Sequence, residues 1–184
     1  MAKLLKNSFL IFIDFIEIAV ICTVIFTLVY FFLGQLLVVT GDSMHPTLLT
    51  DEQIIADKAS LKFSPLQRGE IVVFKHPVNL NRLLIKRIIA IEGDKVRIIN
   101  GDIYINDEIL NEKYLETPHS TLGGKSIGQN NEIVVPKNNF MLLGDNRENS
   151  ADSREFGFVN KENIVGRAFM VYYPFDKLRI IKHE

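Results

Sequence analysis

Hydrophobic positions fall into two regimes along this chain. From Ile18 to Val39 they run without interruption, 22 residues with no charged side chain (IAVICTVIFTLVYFFLGQLLVV). A helix of that length rises about 33 Å, enough to cross the hydrocarbon core of a bilayer. The apolar character begins at Phe9, and Asp14 and Glu17 break into it. Three positions apart, these carboxylates share a helix face and are placed near the headgroups or against protein, because mid-bilayer charge is costly. After residue 40 the pattern changes to short runs rich in β-branched residues between turn signals: EIVVF (70–74), RLLIKRIIAI (82–91), KVRIIN (95–100), DIYIN (102–106), EIVV (132–135) and FMLL (140–143). Such runs predict strands. Asn100-Gly101 predicts a hairpin, and Gly93-Asp94 and Gly144-Asp145 predict further turns. Beyond the first segment no long helical periodicity appears, and one helical turn is expected within 160–168. Residues 107–131 are polar and Gly-rich and read as a mobile excursion.

The expected architecture is therefore mostly β. An N-terminal transmembrane helix (1–40, with a cytoplasmic N-terminus) leads into an antiparallel barrel or sandwich over 41–184, with a small β-rich lobe near 100–136. Lys3 and Lys6 precede the apolar run and the next basic residue is Lys58, so basic flanks place the N-terminus inside and the β domain outside the cell. The run is longer than the apolar core of a cleaved secretory signal and no A-x-A-like site follows it, which favours a retained single-pass anchor in the plasma membrane.

Charge and composition exclude several classes. Twenty-one Lys and Arg stand against 22 Asp and Glu, which leaves no basic excess for nucleic acid. The single cysteine, Cys22, rules out an internal disulfide framework and a Cys-cluster zinc site; inside the apolar run it reads as a small filler. His45, His76, His119 and His183 show no metal-ligand spacing. No glycine-rich phosphate loop and no G-x-S-x-G elbow is present. No metal, nucleotide or organic cofactor is implied.

Two residues carry candidate chemistry. Ser43 sits in TGDSMHPTL directly after the apolar run, where Gly41 permits an unusual backbone path and Pro46 stiffens the chain. In isolation such a serine reads as an ordinary loop residue. Lys86 is more anomalous. In LLIKRII both strand faces are apolar, so Lys86 or Arg87 must enter an apolar setting. Burial disfavours the ammonium form, and a neutral amine can take a proton from a serine hydroxyl. The competing reading is a lysine snorkelling from an edge strand. A third segment, GDNRENSADSREFG (144–157), crowds Asp, Asn, Ser and Arg into a rim. By itself such a segment reads as a solvated loop; the functional reading is a hydrogen-bonded rim in which Ser150 would orient the lysine amine and Asp152 with Arg154 would form a supporting ion pair.

Taken together, GDSMHPTL, RGEIVVF (68–74), KRIIAIEGD (86–94) and GDNRENSADSREFG, in that order behind one apolar run, resemble type I signal peptidase, the membrane-bound Ser-Lys leader peptidase, in its short Gram-positive form. The resemblance implies Ser43 as nucleophile and Lys86 as general base. It implies Ser150 as the hydroxyl steadying the amine, and Asp145, Arg87, Asp152 and Arg154 as polar braces. Met44, Leu48 and Ile85 would line shallow pockets for small side chains, and the Ser43 backbone N–H would serve the oxyanion. The implied reaction is endoproteolysis of exported preproteins after an Ala-x-Ala-like site, at the lipid bilayer, with Sec-type export machinery a possible neighbour. Two departures stand out. Gly41 occupies the position where some members carry a hydroxyl oxyanion donor, as in other short forms, and Glu92 and Ala90 replace the usual Pro and Gly of the lysine segment.

Overall fold

The computed structural model describes residues 2–115 and 120–183. Residues 116–119, and His119 with them, lie outside the described part. The chain opens with helix α1 (Ala2–Leu33), and strand β1 (Gly34–Val38) follows at once. The uncharged run thus divides: its helical part ends at Leu33, and its last residues join a sheet instead of continuing the helix. Side chains of α1 are described over 12–27, where every residue is exposed. Among the described residues no helix is long and apolar enough to cross a membrane.

Beyond β1 come β2 (Gln53–Asp57), the single-turn helix α2 (Ser60–Phe63), β3 (Ile71–Lys75) and β4 (Leu83–Ala90). β5 (Lys95–Ile99), β6 (Asp102–Ile105), β7 (Glu108–Ile109) and β8 (Ile133–Val134) then form a sheet of their own, in the order β7-β6-β5-β8. The chain returns through β9 (Asn139–Leu143), the short helix α3 (Ser153–Phe156), β10 (Val159–Asn160), β11 (Ile164–Tyr173) and β12 (Arg179–Ile180). The larger sheet runs β1-β2-β11-β3-β4-β9-β10, with β12 added beside β11, and every pairing is antiparallel. The domain is mostly β, as the short β-branched runs predict. Instead of a closed barrel, the pairings among the described residues give an open eight-stranded sheet beside a four-stranded one. The turn expected within 160–168 is a 3-10 turn at Lys161–Asn163.

Packing explains the unbroken apolar runs. Ile71 and Val73 of β3 belong to one core cluster, with Met44, Leu48 and Ile54, while Val72 and Phe74 belong to another, with Ile88 and Leu142. A strand covered on both faces needs no polar alternation. A third cluster joins Val96, Ile98 and Ile103 of the small sheet to Ile89, Met141 and Leu143 of the large one, so the two sheets share a core. The β5–β6 hairpin turns at Asn100 (φ 53°) and Gly101 (φ 94°), the left-handed pair an Asn-Gly hairpin requires.

The excursion after β6 is not uniformly solvent-exposed. Leu115 and Ile127 are buried, and so are Glu112 and Thr121. Their partners lie in the site described next.

Candidate active site

Three segments converge on one cleft. The first is the turn after β1. Val39 N–H donates to the Glu52 carbonyl and Asp51 N–H to the Val39 carbonyl, which fixes both ends of the segment. Between them, His45 N–H donates to the Asp42 carbonyl and Leu48 N–H to the Met44 carbonyl. Met44 and Leu48 are anchors in the core, and together they pin Ser43 from its C-terminal side. Gly41 adopts φ 80° at the bend.

The second segment is β4, held between β3 and β9, with Lys86 opposite Val72 and Arg87 opposite Leu143. Both cations of LLIKRII are buried, Lys86 at 2% and Arg87 at 1% exposure. Lys86 Nζ lies 2.6 Å from Ser43 Oγ, within hydrogen-bond reach. Loss of hydration on burial lowers the Lys86 pKa to about 8 from the ordinary 10.5; the carboxylates of Asp152 and Asp145 oppose the shift, while Arg82 and Arg154 reinforce it. A neutral amine presents a lone pair, so the serine hydroxyl hydrogen can point along the same line to Nζ. A buried, partly neutral amine touching an alcohol is the arrangement from which a proton can leave the alcohol as it attacks a carbonyl.

The third segment is the loop from Gly144 into α3. Asp145 grips Arg87 with both oxygens (Nε to Oδ1 2.9 Å, Nη2 to Oδ2 2.7 Å) and also accepts from Thr47 Oγ1. Asp152 caps α3, accepting from Arg154 N–H, and its Oδ2 accepts from Gly144 N–H at 3.1 Å. Arg154 closes on Asp152 through Nε and Nη2, both at 2.8 Å. Asn146 N–H donates to the Ser43 carbonyl at 3.1 Å, which ties the loop to the serine turn.

Ser43, Met44, Ile85 and Lys86 all line the resulting cleft, whose volume is about 350 Å³. One wall is the strand edge from Leu37 to Ser43 and the other is Leu83–Lys86. Two sequence-based expectations differ from this geometry. Leu48 is a fully buried core residue and does not line the cleft, because its side chain packs among Met44, Ile54 and Ile71. Ser150 does not hydrogen-bond the lysine: its Oγ is buried with no partner among the described residues, close against the Cα side of Gly144. The sequence reading passed over Thr47, Arg147, Glu112, Tyr114 and Thr121. Arg147 lies inside the rim segment and could have been suspected there, whereas Glu112 and Tyr114 carry no periodic signal. Among the described residues no three His, Cys, Asp or Glu side chains gather as a metal site.

With this geometry established, kinship decides the family. The profile of the family described as "Signal peptidase, peptidase S26" matches residues 12–173. The chain belongs to the signal peptidase family. It is 35% identical over 170 residues to "Signal peptidase I U" of Bacillus subtilis strain 168, covering 91% of this chain and 90% of that protein. It is 32% identical to "Signal peptidase IB" of Staphylococcus aureus strain COL (82% and 86% covered) and 35% identical to "Probable signal peptidase I-2" of a Synechocystis species (83% and 69%). A crystal structure of a signal peptidase I from Enterococcus faecalis V583 matches with TM-score 0.48 and 28% identity, over 56% of this chain and 97% of that one. This signal peptidase is a serine endopeptidase.

Gly144 offers a direct probe of the packing around its serine. A Cβ there would lie 2.4 Å from the Ser43 carbonyl oxygen and 2.3 Å from Ser150 Oγ. Backbone cannot yield at that distance without moving Ser43. Gly144→Ala is expected to lower peptidase activity by about tenfold or more, since misplacing reacting groups by a fraction of an ångström to 1 Å is costly. Steady-state cleavage of a precursor measures it.

Proposed function

We propose that Ser43 and Lys86 are the nucleophile and general base with which this signal peptidase removes signal peptides from exported precursors. The observation that carries the reading is the 2.6 Å contact between a buried lysine amine and a serine hydroxyl on the wall of an open cleft. Neutral Lys86 takes the Ser43 proton as Oγ bonds to the scissile carbonyl carbon. The lysine then gives that proton to the leaving amine as the C–N bond breaks, leaving an ester on Ser43. Water attacks the ester, Lys86 accepts its proton and returns it to Oγ, and the signal peptide departs as a carboxylate. The Ser43 N–H contributes to oxyanion stabilisation. Asp145 with Arg87 and Asp152 with Arg154 hold the loop that frames the dyad.

The cleft suits an extended chain. The outer edge of β1 and the Leu83–Lys86 edge of β4 carry no strand partner among the described residues, since β9 pairs with β4 only from Arg87 onward. A precursor segment entering between them can bond by β-augmentation, with Met44 and Ile85 beside the residues before the cut. An Ala-x-Ala-like preference, the one the family resemblance implies, completes this reading.

The same reading places the enzyme at the outer face of the plasma membrane, with α1 as a single-pass anchor and the N-terminus inside. Sixteen consecutive exposed positions on an apolar helix support lipid contact. Because Gly34–Val38 joins the sheet, the uncharged helical stretch is Ile18–Leu33, about 24 Å long. The hydrocarbon layer therefore extends back toward Glu17 and Asp14. Phe175, Leu178 and Ile180, exposed beside Lys177 and Lys182, supply a further surface for an interface with lipid. A precursor held in the same bilayer, beside its export machinery, meets the dyad by a two-dimensional search.

The test is the pH profile of precursor cleavage, with the new N-terminus of the product identified. Protonated Lys86 is inactive, so the rate should rise with pH through about 8 and fall tenfold per pH unit well below it. A limb near 10.5 would show a hydrated lysine and end the proposal. The same shift has a stability consequence: between about 8 and 10.5 the unfolded chain binds more protons than the native one, so stability contributed at this site rises with pH across that window.

A further inference from the structure

The segment between β7 and β8 reaches back into the catalytic loop through a buried polar network. Glu112, 8% exposed, grips Arg147, 5% exposed, with both carboxylate oxygens (Nη1 to Oε2 2.8 Å, Nη2 to Oε1). Thr121 Oγ1 accepts from the same guanidinium at 2.7 Å. Arg147 Nε in turn donates to the Gly144 carbonyl at 3.0 Å, one residue from Asp145. Tyr114 extends the network sideways. Its hydroxyl donates to Glu112 Oε1 at 2.6 Å, and its ring lies 3.8 Å from the Arg87 guanidinium carbon. Burial of the phenol, next to the Glu112 carboxylate, raises its pKa, so it stays a donor across the working pH range.

Two arginines thus flank the Gly144-Asp145 step, and Glu112-x-Tyr114 steadies both. Arg147 holds Gly144 by its carbonyl, and Arg87 holds Asp145 by its carboxylate. Gly144 is also where Ser43 and Ser150 crowd closest. We propose that Glu112 is a positioning residue of this peptidase, and that with Tyr114 and Thr121 it forms a brace that sets the Gly144-Asp145 step against the Ser43 turn. Resting on the Ser43–Lys86 assignment, the proposal gives the second lobe a part in the chemistry. Glu112 touches neither reacting atom and acts through Arg147 and Tyr114. A buried carboxylate that satisfies one guanidinium with two charge-assisted bonds and orders the ring over another adds geometric specificity to the loop both arginines hold.

The test is steady-state cleavage of a signal-peptide-bearing precursor by the full chain, in detergent, below the melting temperature of every variant. Glu112→Gln should lower kcat by about tenfold or more while KM stays within about twofold, because the cleft walls are untouched and only alignment is lost. Arg147→Gln should do the same, and the double variant should be no slower than the worse single one, as expected for groups acting through one contact. Arg147→Lys, which keeps charge without the two-pronged grip, should recover only part of the loss. A folded Glu112→Gln enzyme with the parent kcat overturns the proposal, as do single losses that multiply in the double variant. If Glu112→Gln does not fold, Tyr114→Phe decides. It deletes one hydroxyl and keeps the ring, and a few-fold drop in kcat at unchanged KM is expected, while the parent kcat rejects the brace. Cleavage by Ser43→Ala would refute the dyad instead, a result independent of the Glu112 outcome.

Discussion

Lys86→Met is expected to yield a folded protein whose precursor cleavage falls by about 10⁴-fold or more, and Ser43→Ala should match it. Methionine has nearly the length of lysine and suits an apolar site, so the strand stays filled. Removing the amine of a residue that is only 2% exposed takes away a desolvation penalty, and the variant should melt at or above the parent temperature. That combination separates chemistry from folding: activity vanishes while stability holds or rises. On the proposed assignment the two side chains, 2.6 Å apart, act in one step, so the double variant should be no slower than either single one. Following precursor and product on a gel, with thermal melting of each variant, checks all three statements. Activity within tenfold of the parent in either single variant would remove that residue from the mechanism.

The burial of Lys86 was legible because its sequence signal is a conflict. A charged residue in the middle of RLLIKRIIAI has to be resolved by burial or by an edge position, and the structure buries both Lys86 and Arg87. The Asn100-Gly101 hairpin and the pair Asp152–Arg154 were legible for a simpler reason: each is local, set by residues within two positions. Long-range partnerships were not. Leu48 beside the serine turn is apolar whether it faces a pocket or the core, and only the fold shows that it faces the core. The apolar run to Val39 satisfies lipid and a sheet equally, so hydropathy cannot find the break at Leu33 where helix gives way to strand. Glu112 reads as a solvated charge in a polar stretch, and its burial makes sense only once Arg147, 35 residues away, is seen against it.

The largest stability loss should come from breaking the Arg87–Asp145 pair. Both side chains are essentially without solvent contact, 1% and 0% exposed. The guanidinium is satisfied by two oxygens of Asp145 and by the Gly69 carbonyl at 2.8 Å, with Tyr114 over its face. Asp145→Ala leaves that cation buried with only neutral partners, the Gly69 carbonyl, the Thr47 hydroxyl at 3.4 Å and a ring, which costs about 3–5 kcal/mol. At roughly 2–4 °C per kcal/mol for a domain of this size, the melting temperature should drop by about 6–20 °C. Arg97–Asp107 is the internal control: its side chains are 33% and 68% exposed, and Asp107→Asn, which removes the charge and suits the left-handed backbone there (φ 71°), should cost less than about 1 kcal/mol. The double variant Arg87→Met/Asp145→Leu should recover most of the stability lost by Asp145→Ala, since no uncompensated charge remains in the core. Its cleavage rate should not recover, because Asp145 also takes the Thr47 hydroxyl and anchors the step beside Ser43. Equal melting losses at Asp145 and Asp107 would show that burial does not set the worth of this pair, and full recovery of cleavage in the double variant would show that the pair serves folding alone.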